Sequence, residues 1–172
     1  MLLNVSIDPG PMLPCRGNLL LALQRAAGDA ALDRTPLSFL LIQVDRVPAN
    51  HARLIQVEQL ATVAKVLRLA CGRAGVLGHM NDRLFGLMRR NTTADSARAV
   101  AEHCRLAVEL HYTGRLHPMT LSIGTATTTD ESEWTGEQLV RLAAWRCDQA
   151  QVAGGNQVRS TGFALRDRLS NR

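Results

Sequence analysis

Apolar residues recur along the chain with two different periods, which predict helices and strands in alternation. Residues 19–31 carry apolar side chains at helical spacing, and the dense apolar run 36–44 is typical of a buried strand. Across residues 51–71 the apolar positions follow one helical face, and Gly72 is a favourable residue to end that helix. The first part of the chain is therefore predicted to fold as helix, strand and long amphipathic helix.

Two short apolar stretches, 76–78 and 84–88, flank the dipeptide Asn81-Asp82. Asn and Asp tolerate the positive φ angles of tight turns, so the pattern predicts a β-hairpin. Caps and apolar spacing predict the later elements, which are a helix from the capping pair Thr92 and Asp95 to about His111, a strand at 119–123, a helix from the capping box Thr135 and Gln138 to Gly154-Gly155, and an edge strand at 157–160.

This order of elements indicates one α+β domain in which a mixed sheet is covered by helices. A chain of 172 residues with 46% hydrophobic content is large enough to bury one such core. No repeat or linker divides it. We expect the domain to occupy residues 1–160 and a polar, arginine-rich tail to occupy residues 161–172.

Composition narrows the cellular setting and the kinds of partner. No apolar stretch approaches the roughly 20 residues that cross a bilayer, and no signal-like segment opens the chain, so a cytoplasmic protein without membrane contact is expected. The formal charge of +5 comes almost wholly from dispersed arginines, which a solvated surface explains as well as an acidic partner does. Cys15, Cys71, Cys104 and Cys147 match no zinc or redox spacing and are interpreted as core residues.

Four segments, in order along the chain, resemble landmarks of the GGDEF domain family. The match is carried by Asp8, Leu13 and Arg16 of a DxLTGLxNR-like segment, by residues 41–45 of the first strand, by residues 121–126 of an SIGxA strand, and by residues 154–158 of a closing GxNxV motif. The resemblance implies the nucleotide-cyclase, ferredoxin-like GGDEF fold with a largely antiparallel central sheet. It also implies a place in cyclic di-GMP signalling.

The family's signature loop falls on the predicted hairpin. Its Gly-Gly-Asp/Glu-Glu-Phe pattern is replaced here by Asn81-Asp82-Arg83-Leu84-Phe85, so Phe85 alone matches. An apolar side chain at the start of the second hairpin strand can anchor that strand to the core. The two glycines that let a nucleotide approach the backbone are replaced by Asn81 and Asp82, which obstruct that approach.

The resemblance also implies where metal ligands would lie. One would come from the first strand, where Gln43 stands, and others from the signature positions of Arg83 and Leu84. A neutral amide, a cation and an alkyl group do not hold Mg²⁺, which prefers anionic oxygens. A shifted pair made by Asp45 and Asp82 is the alternative, but Asp45 is interpreted as structural and Asp82 as a turn residue. The sequence therefore predicts no catalytic residue, no metal and no cofactor.

Two further nucleotide contacts of the family are also altered. The positions of its inhibitory RxxD site for cyclic di-GMP fall on Gly72 and Gly75, and its late Ala-Lys pair becomes Ala150-Gln151. Neither glycine can contact a phosphate or a guanine through a side chain. Product binding at this site is therefore not expected.

Three functions are compatible with these residues. The leading hypothesis is a non-catalytic regulatory domain that binds a protein partner, an EAL-type domain or a second copy of the chain. The second is a sensor that binds GTP or cyclic di-GMP through Arg83, Arg89 or Arg90 without turnover. The third is a nucleic-acid-binding module, which the charge suggests, but the chain has only three Phe, one Tyr and two Trp and no aromatic-basic strand motif. We therefore expect no nucleic-acid partner.

Overall fold

The computed structural model describes residues 13–45, 53–115, 118–128 and 134–160. The elements in these ranges are α1 (Arg16–Asp33), β1 (Leu37–Val44), α2 (Arg53–Cys71), β2 (Gly75–Asn81), β3 (Leu84–Arg90), α3 (Ala94–Tyr112), β4 (Leu121–Thr127), α4 (Gly136–Val152) and β5 (Gln157–Arg159). Every helix and strand predicted from the sequence is present. The tail at 161–172 lies outside the described residues.

The five strands form one sheet in the order β2-β3-β1-β4-β5. The pairs β2–β3, β3–β1 and β1–β4 are antiparallel, and β4–β5 is parallel. The dense apolar run of the sequence becomes β1 at the centre of the sheet, where seven of its eight residues are buried. This confirms the α+β fold with a mixed, largely antiparallel sheet.

Helices cover both faces of the sheet, so the domain has two cores. Alternate residues of β1 point to opposite faces: Leu40 and Ile42 join the core beneath α2 and α3, whereas Phe39 and Leu41 join the core beneath α1 and α4. In the part of the chain that the structure describes, helices thus pack on both faces of the sheet, whereas RNA-recognition sheets leave one face open for bases to stack.

Two glycines let α1 lie directly on the hairpin. Gly78 and Gly86 are cross-strand partners, and a Cβ at Gly86 would lie 2.7 Å from Cδ2 of Leu19. Just before α1, the carbonyl of Pro14 accepts a hydrogen bond of 2.9 Å from the His79 amide. The segment leading into α1 is thus bonded to β2, which holds the hairpin in place.

The first turns of α3 and α4 show which residues cap these two helices. The capping box of Thr135 and Gln138 is confirmed, since the side chain of each bonds to the backbone of the other. At α3 the prediction was wrong by one residue. Thr93 caps that helix by accepting from the Ser96 amide, and Thr92 is buried beneath it with its hydroxyl donated to the carbonyl of Arg90.

The cysteines only partly follow the expectation of core residues. Cys71, Cys104 and Cys147 are buried, but Cys15, the N-cap residue of α1, is exposed. Within the described ranges, no helix combines the length and apolar character needed to cross a bilayer.

Candidate functional site

The turn of the β2–β3 hairpin differs from the one predicted. Asp82 and Arg83 form the loop, and neither has a positive φ angle, so the reason given for a tight turn was wrong. Asn81 instead ends β2, with its side-chain Oδ1 accepting a 3.0 Å hydrogen bond from the Arg83 amide. A local side-chain bond and the irregular pairing between His79 and Asn81 take the place of left-handed backbone.

Three residues that the sequence singled out meet where β1 ends. Gln43 of β1 is the cross-strand partner of Leu84, and the Arg83 carbonyl accepts a 2.9 Å hydrogen bond from the amide of Val44. The Gln43 side chain donates to the Val44 carbonyl at 3.1 Å, and Leu84 packs against the core beneath α1 and α4. Gln43, Leu84 and the backbone of Arg83 are therefore neighbours at the end of β1, where the family resemblance locates a metal.

Phe85 anchors the second hairpin strand, as expected. Its side chain is fully buried in the core beneath α2 and α3. Its ring centroid lies 4.9 Å from that of His79 across the hairpin. Packing in the core thus accounts for an aromatic residue at this position of the signature.

Asp45, just beyond β1, accepts three hydrogen bonds from other parts of the scaffold. Oδ1 accepts from the Ser122 hydroxyl at 2.6 Å, and Oδ2 accepts from the Thr120 hydroxyl at 2.6 Å and from the Asn156 amide at 3.0 Å. Gly155 lies so close that a Cβ there would be 3.1 Å from Oδ2. The carboxylate therefore ties β1 to β4 and to the turn that follows α4.

Asn156 connects that turn to α3. It adopts a left-handed φ of 48°, its Oδ1 accepts from Arg105 at 2.8 Å, and its Nδ2 donates to Glu109 at 2.7 Å. Arg105 also forms ion pairs of 2.8 Å with Glu102 and Glu109. The asparagine of the GxNxV motif is therefore a structural junction, and its distant partners could not be assigned from the sequence.

The Asn156 junction makes part of the stability dependent on pH. The hydrogen bond from Asn156, followed by that from Arg105, lowers the pKa of Glu109 below its usual value. Since the folded-state pKa is depressed, the contribution is complete above the unfolded pKa of about 4.3 and is lost as pH falls through the folded value. We expect Glu109→Gln to flatten the fall in urea-unfolding free energy below about pH 5. Equal slopes in both proteins would contradict this account.

The arginines proposed for a nucleotide sensor do not lie together. Arg83 is in the hairpin turn, whereas Arg89 and Arg90 are at the far end of β3, roughly 20 Å away at the usual rise of a strand. Arg89 donates to the carbonyl of Cys71 at 2.8 Å, and Arg90 pairs with Asp29 at 2.8 Å. The structure therefore does not bring the three into one phosphate site.

The positions matched to the inhibitory site have backbone roles. Gly72 follows α2 with a φ of +65°, a conformation that glycine adopts readily. Gly75 begins β2, where a Cβ would lie 2.7 Å from Cδ1 of Leu87. Ala150 and Gln151 lie in the last turns of α4, the former buried and the latter exposed. Within the described ranges, no three His, Cys, Asp or Glu side chains are placed so that they could hold a metal ion.

Solved structures identify the fold. The FimX GGDEF domain from Pseudomonas aeruginosa superposes on 85% of this chain and 93% of its own, with a TM-score of 0.76 and 25% sequence identity. The chain has the fold of a GGDEF domain. The predicted fold is thereby confirmed.

Two more distant GGDEF structures show the same fold. The active GGEEF domain of a diguanylate cyclase from Vibrio cholerae matches at 20% identity, with a TM-score of 0.73 over 86% of this chain and 96% of that one. The diguanylate cyclase SiaD from Pseudomonas aeruginosa, in complex with its activator SiaC, matches at 19% identity and a TM-score of 0.70. It covers 86% of this chain and 58% of SiaD. No protein-family profile and no curated sequence matches the chain.

Proposed function

We propose that this GGDEF domain acts in cyclic di-GMP signalling without catalysis, as a regulatory domain that binds a protein partner or a second copy of itself. The observation that carries the proposal is the convergence of Gln43, Arg83 and Leu84 at the end of β1. These are the positions at which the family resemblance expects metal-binding acids.

Joining two GTP molecules is phosphoryl transfer, which depends on divalent metal to neutralise charge on the phosphates. Mg²⁺ is held by anionic oxygens in near-octahedral geometry. Gln43 offers a neutral amide, Leu84 offers no ligand atom, and the guanidinium of Arg83 repels the cation. The site therefore lacks what the reaction requires.

The two nearest acids do not replace the missing ligands. Asp45 accepts hydrogen bonds from Thr120, Ser122 and Asn156, so recruiting it to a metal would break the junction between β1, β4 and the turn after α4. Asp82 is exposed in the hairpin turn, and by itself it would give a metal one carboxylate only. A shifted metal pair would thus have to form at the expense of the fold.

Exposed apolar side chains support binding of a protein. Leu106 and Leu110 lie one turn apart on the outer side of α3, and Leu110 is 71% exposed. Leu69 is similarly exposed on the adjacent α2. SiaD, which shares the fold, was crystallised with a protein activator. We propose that the partner is a separate protein, an EAL-type domain or a second copy of this chain.

A turnover assay tests the proposal. We expect the purified chain, with GTP and either Mg²⁺ or Mn²⁺, to form no more cyclic di-GMP than a heat-killed sample, as measured by chromatography and mass spectrometry. The active Vibrio cholerae GGEEF domain, assayed in parallel, provides the positive control. Cyclic di-GMP above the heat-killed level, from protein free of contaminating cyclase, would overturn the proposal.

A further inference from the structure

Two buried cysteines from neighbouring helices contact each other far from the hairpin turn. Cys71 is the last residue of α2, and Cys104 lies in the middle of α3. Their side chains are 4% and 0% exposed, and their Sγ atoms are 3.7 Å apart. A disulfide has an S–S distance of about 2.05 Å, so a small rotation of the two side chains and a slight approach of the helices would bring the sulfurs into bonding range.

A cation lies beside this thiol pair. Arg89 donates to the carbonyl of Cys71 at 2.8 Å, and its Nε is buried without a hydrogen-bond partner. The hydrogen bond with Cys104, with help from the charge of Arg89 and against the effect of burial, lowers the pKa of Cys71. The same thiol contact, together with burial, raises the pKa of Cys104. The positive charge of Arg89, which is bonded to the Cys71 carbonyl, favours Cys71 as the thiol that ionises, and the thiolate is the nucleophilic form.

We infer that Cys71 and Cys104 are a reversible oxidation site, at which a peroxide converts two free thiols into a disulfide that crosslinks α2 to α3. The sulfur contact and the position of Cys71 at the end of α2 support this site. It does not depend on whether the domain is catalytic.

The chemistry balances with hydrogen peroxide as the oxidant. The Cys71 thiolate attacks one peroxide oxygen, the O–O bond breaks, and a sulfenic acid and hydroxide form. Hydroxide takes the Cys104 proton, and the resulting thiolate attacks the Cys71 sulfur and expels hydroxide, which is protonated to water. Two electrons pass from the dithiol to the peroxide, giving one disulfide and two molecules of water. A thiol reductant reverses the change by thiol–disulfide exchange.

A small oxidant suits the position of the site. Cys71 is the last residue of α2 and is followed by the exposed Gly72, so the buried sulfur belongs to the residue next to the surface end of the helix. The disulfide would close a loop between positions 33 apart in the chain. Such a crosslink restricts the unfolded chain, and we expect it to raise the thermal midpoint by about 10 °C.

In the test, the full chain is treated with hydrogen peroxide and the remaining thiols are blocked under denaturing conditions. Non-reducing peptide mass spectrometry then identifies which cysteines are blocked and which are joined in disulfides. We expect a peptide pair joined through Cys71 and Cys104 that disappears on reduction. Exposed Cys15 reports that the oxidant is active. Cys147 is the matched buried control, because it donates to the carbonyl of Ser122 and burial raises its pKa to about 12, so it should remain a free thiol.

Variants in a Cys15→Ser background separate the pair from general oxidation. Cys104→Ala should lose the rise in thermal midpoint and leave a Cys71 sulfenic acid that dimedone traps. If Cys15→Ser or Cys104→Ala prevents folding, the peptide map of the unsubstituted chain still shows whether the Cys71–Cys104 disulfide forms. Oxidation of Cys15 without a Cys71–Cys104 peptide would overturn the inference, as would an equal midpoint for the oxidised and reduced chains.

Discussion

Replacing Gly124 by alanine should destabilise this domain by about 3 kcal/mol, the upper end of the usual cost of overpacking a core. Gly124 is the glycine of the SIGxA strand, and α4 lies directly over it. A Cβ there would overlap the carbonyl oxygen of Ala143 and the amide nitrogen of Cys147. Because these are backbone atoms of a helix, no side-chain rotation relieves the overlap, and α4 must move off the sheet. Urea unfolding followed by circular dichroism measures the loss.

Gly28→Ala is the matched control. Gly28 lies inside α1, and a Cβ at that position would meet nothing within 4 Å. Alanine is favoured over glycine in a helix interior, so the free energy of unfolding should rise by about 0.5 to 1 kcal/mol. Similar losses from the two substitutions would show that α4 does not contact β4 as closely as described.

Replacing Asp45 by alanine should also lower the free energy of unfolding by about 3 kcal/mol. The substitution leaves the hydroxyls of Thr120 and Ser122 and the amide of Asn156 without their acceptor. Partly buried donors that lose a charged partner are costly to leave unpaired. Thermal and urea unfolding should both register the loss, and the effect should not depend on added Mg²⁺ or Mn²⁺.

Asp82→Ala separates the structural role of Asp45 from a general effect of removing acids near the hairpin. Asp82 is exposed in the turn, so its removal should change stability by no more than about 0.5 kcal/mol. If metal stabilised the unsubstituted chain and this effect were lost in both variants, the two carboxylates would share an ion. That result would contradict the structural interpretation of Asp45.

The sequence predicted the order of elements because the dominant signals were strong and local. The 3.6-residue rhythm that became α2 and the dense apolar run that became β1 each describe burial along one element. The capping box at Thr135 is likewise a contact between residues three positions apart. These features need no knowledge of the rest of the fold, and pattern therefore recovers them.

Features that depend on contacts between distant segments were not predicted. Asn156 bonds to α3 and to the end of β1, and the pairing of Cys71 with Cys104 arises only when α2 packs on α3. The hairpin turn was misjudged for a related reason. Asn81 is usable both as a left-handed residue and as a side-chain acceptor, and the sequence does not distinguish these uses.

The candidate site was located by resemblance, and the structure gave it geometry. Gln43 and Leu84 are 41 positions apart in the numbering but are cross-strand partners in the sheet. Because β1 pairs with β3, these two departures from the family pattern lie side by side at one strand end, next to Arg83. Their proximity is the reason for proposing that the changes at Gln43, Arg83 and Leu84 affect the same function.

A crystal soaked with GTP and Mn²⁺ tests the central claim most directly, since Mn²⁺ gives an anomalous signal at the place where a metal would bind. We expect no ordered ion in contact with Gln43 or the Asp82–Arg83 turn, and crystals of the active Vibrio cholerae domain soaked in parallel serve as the positive control for metal binding. An anomalous peak at that strand end, with nucleotide phosphate coordinated to it, would contradict the account.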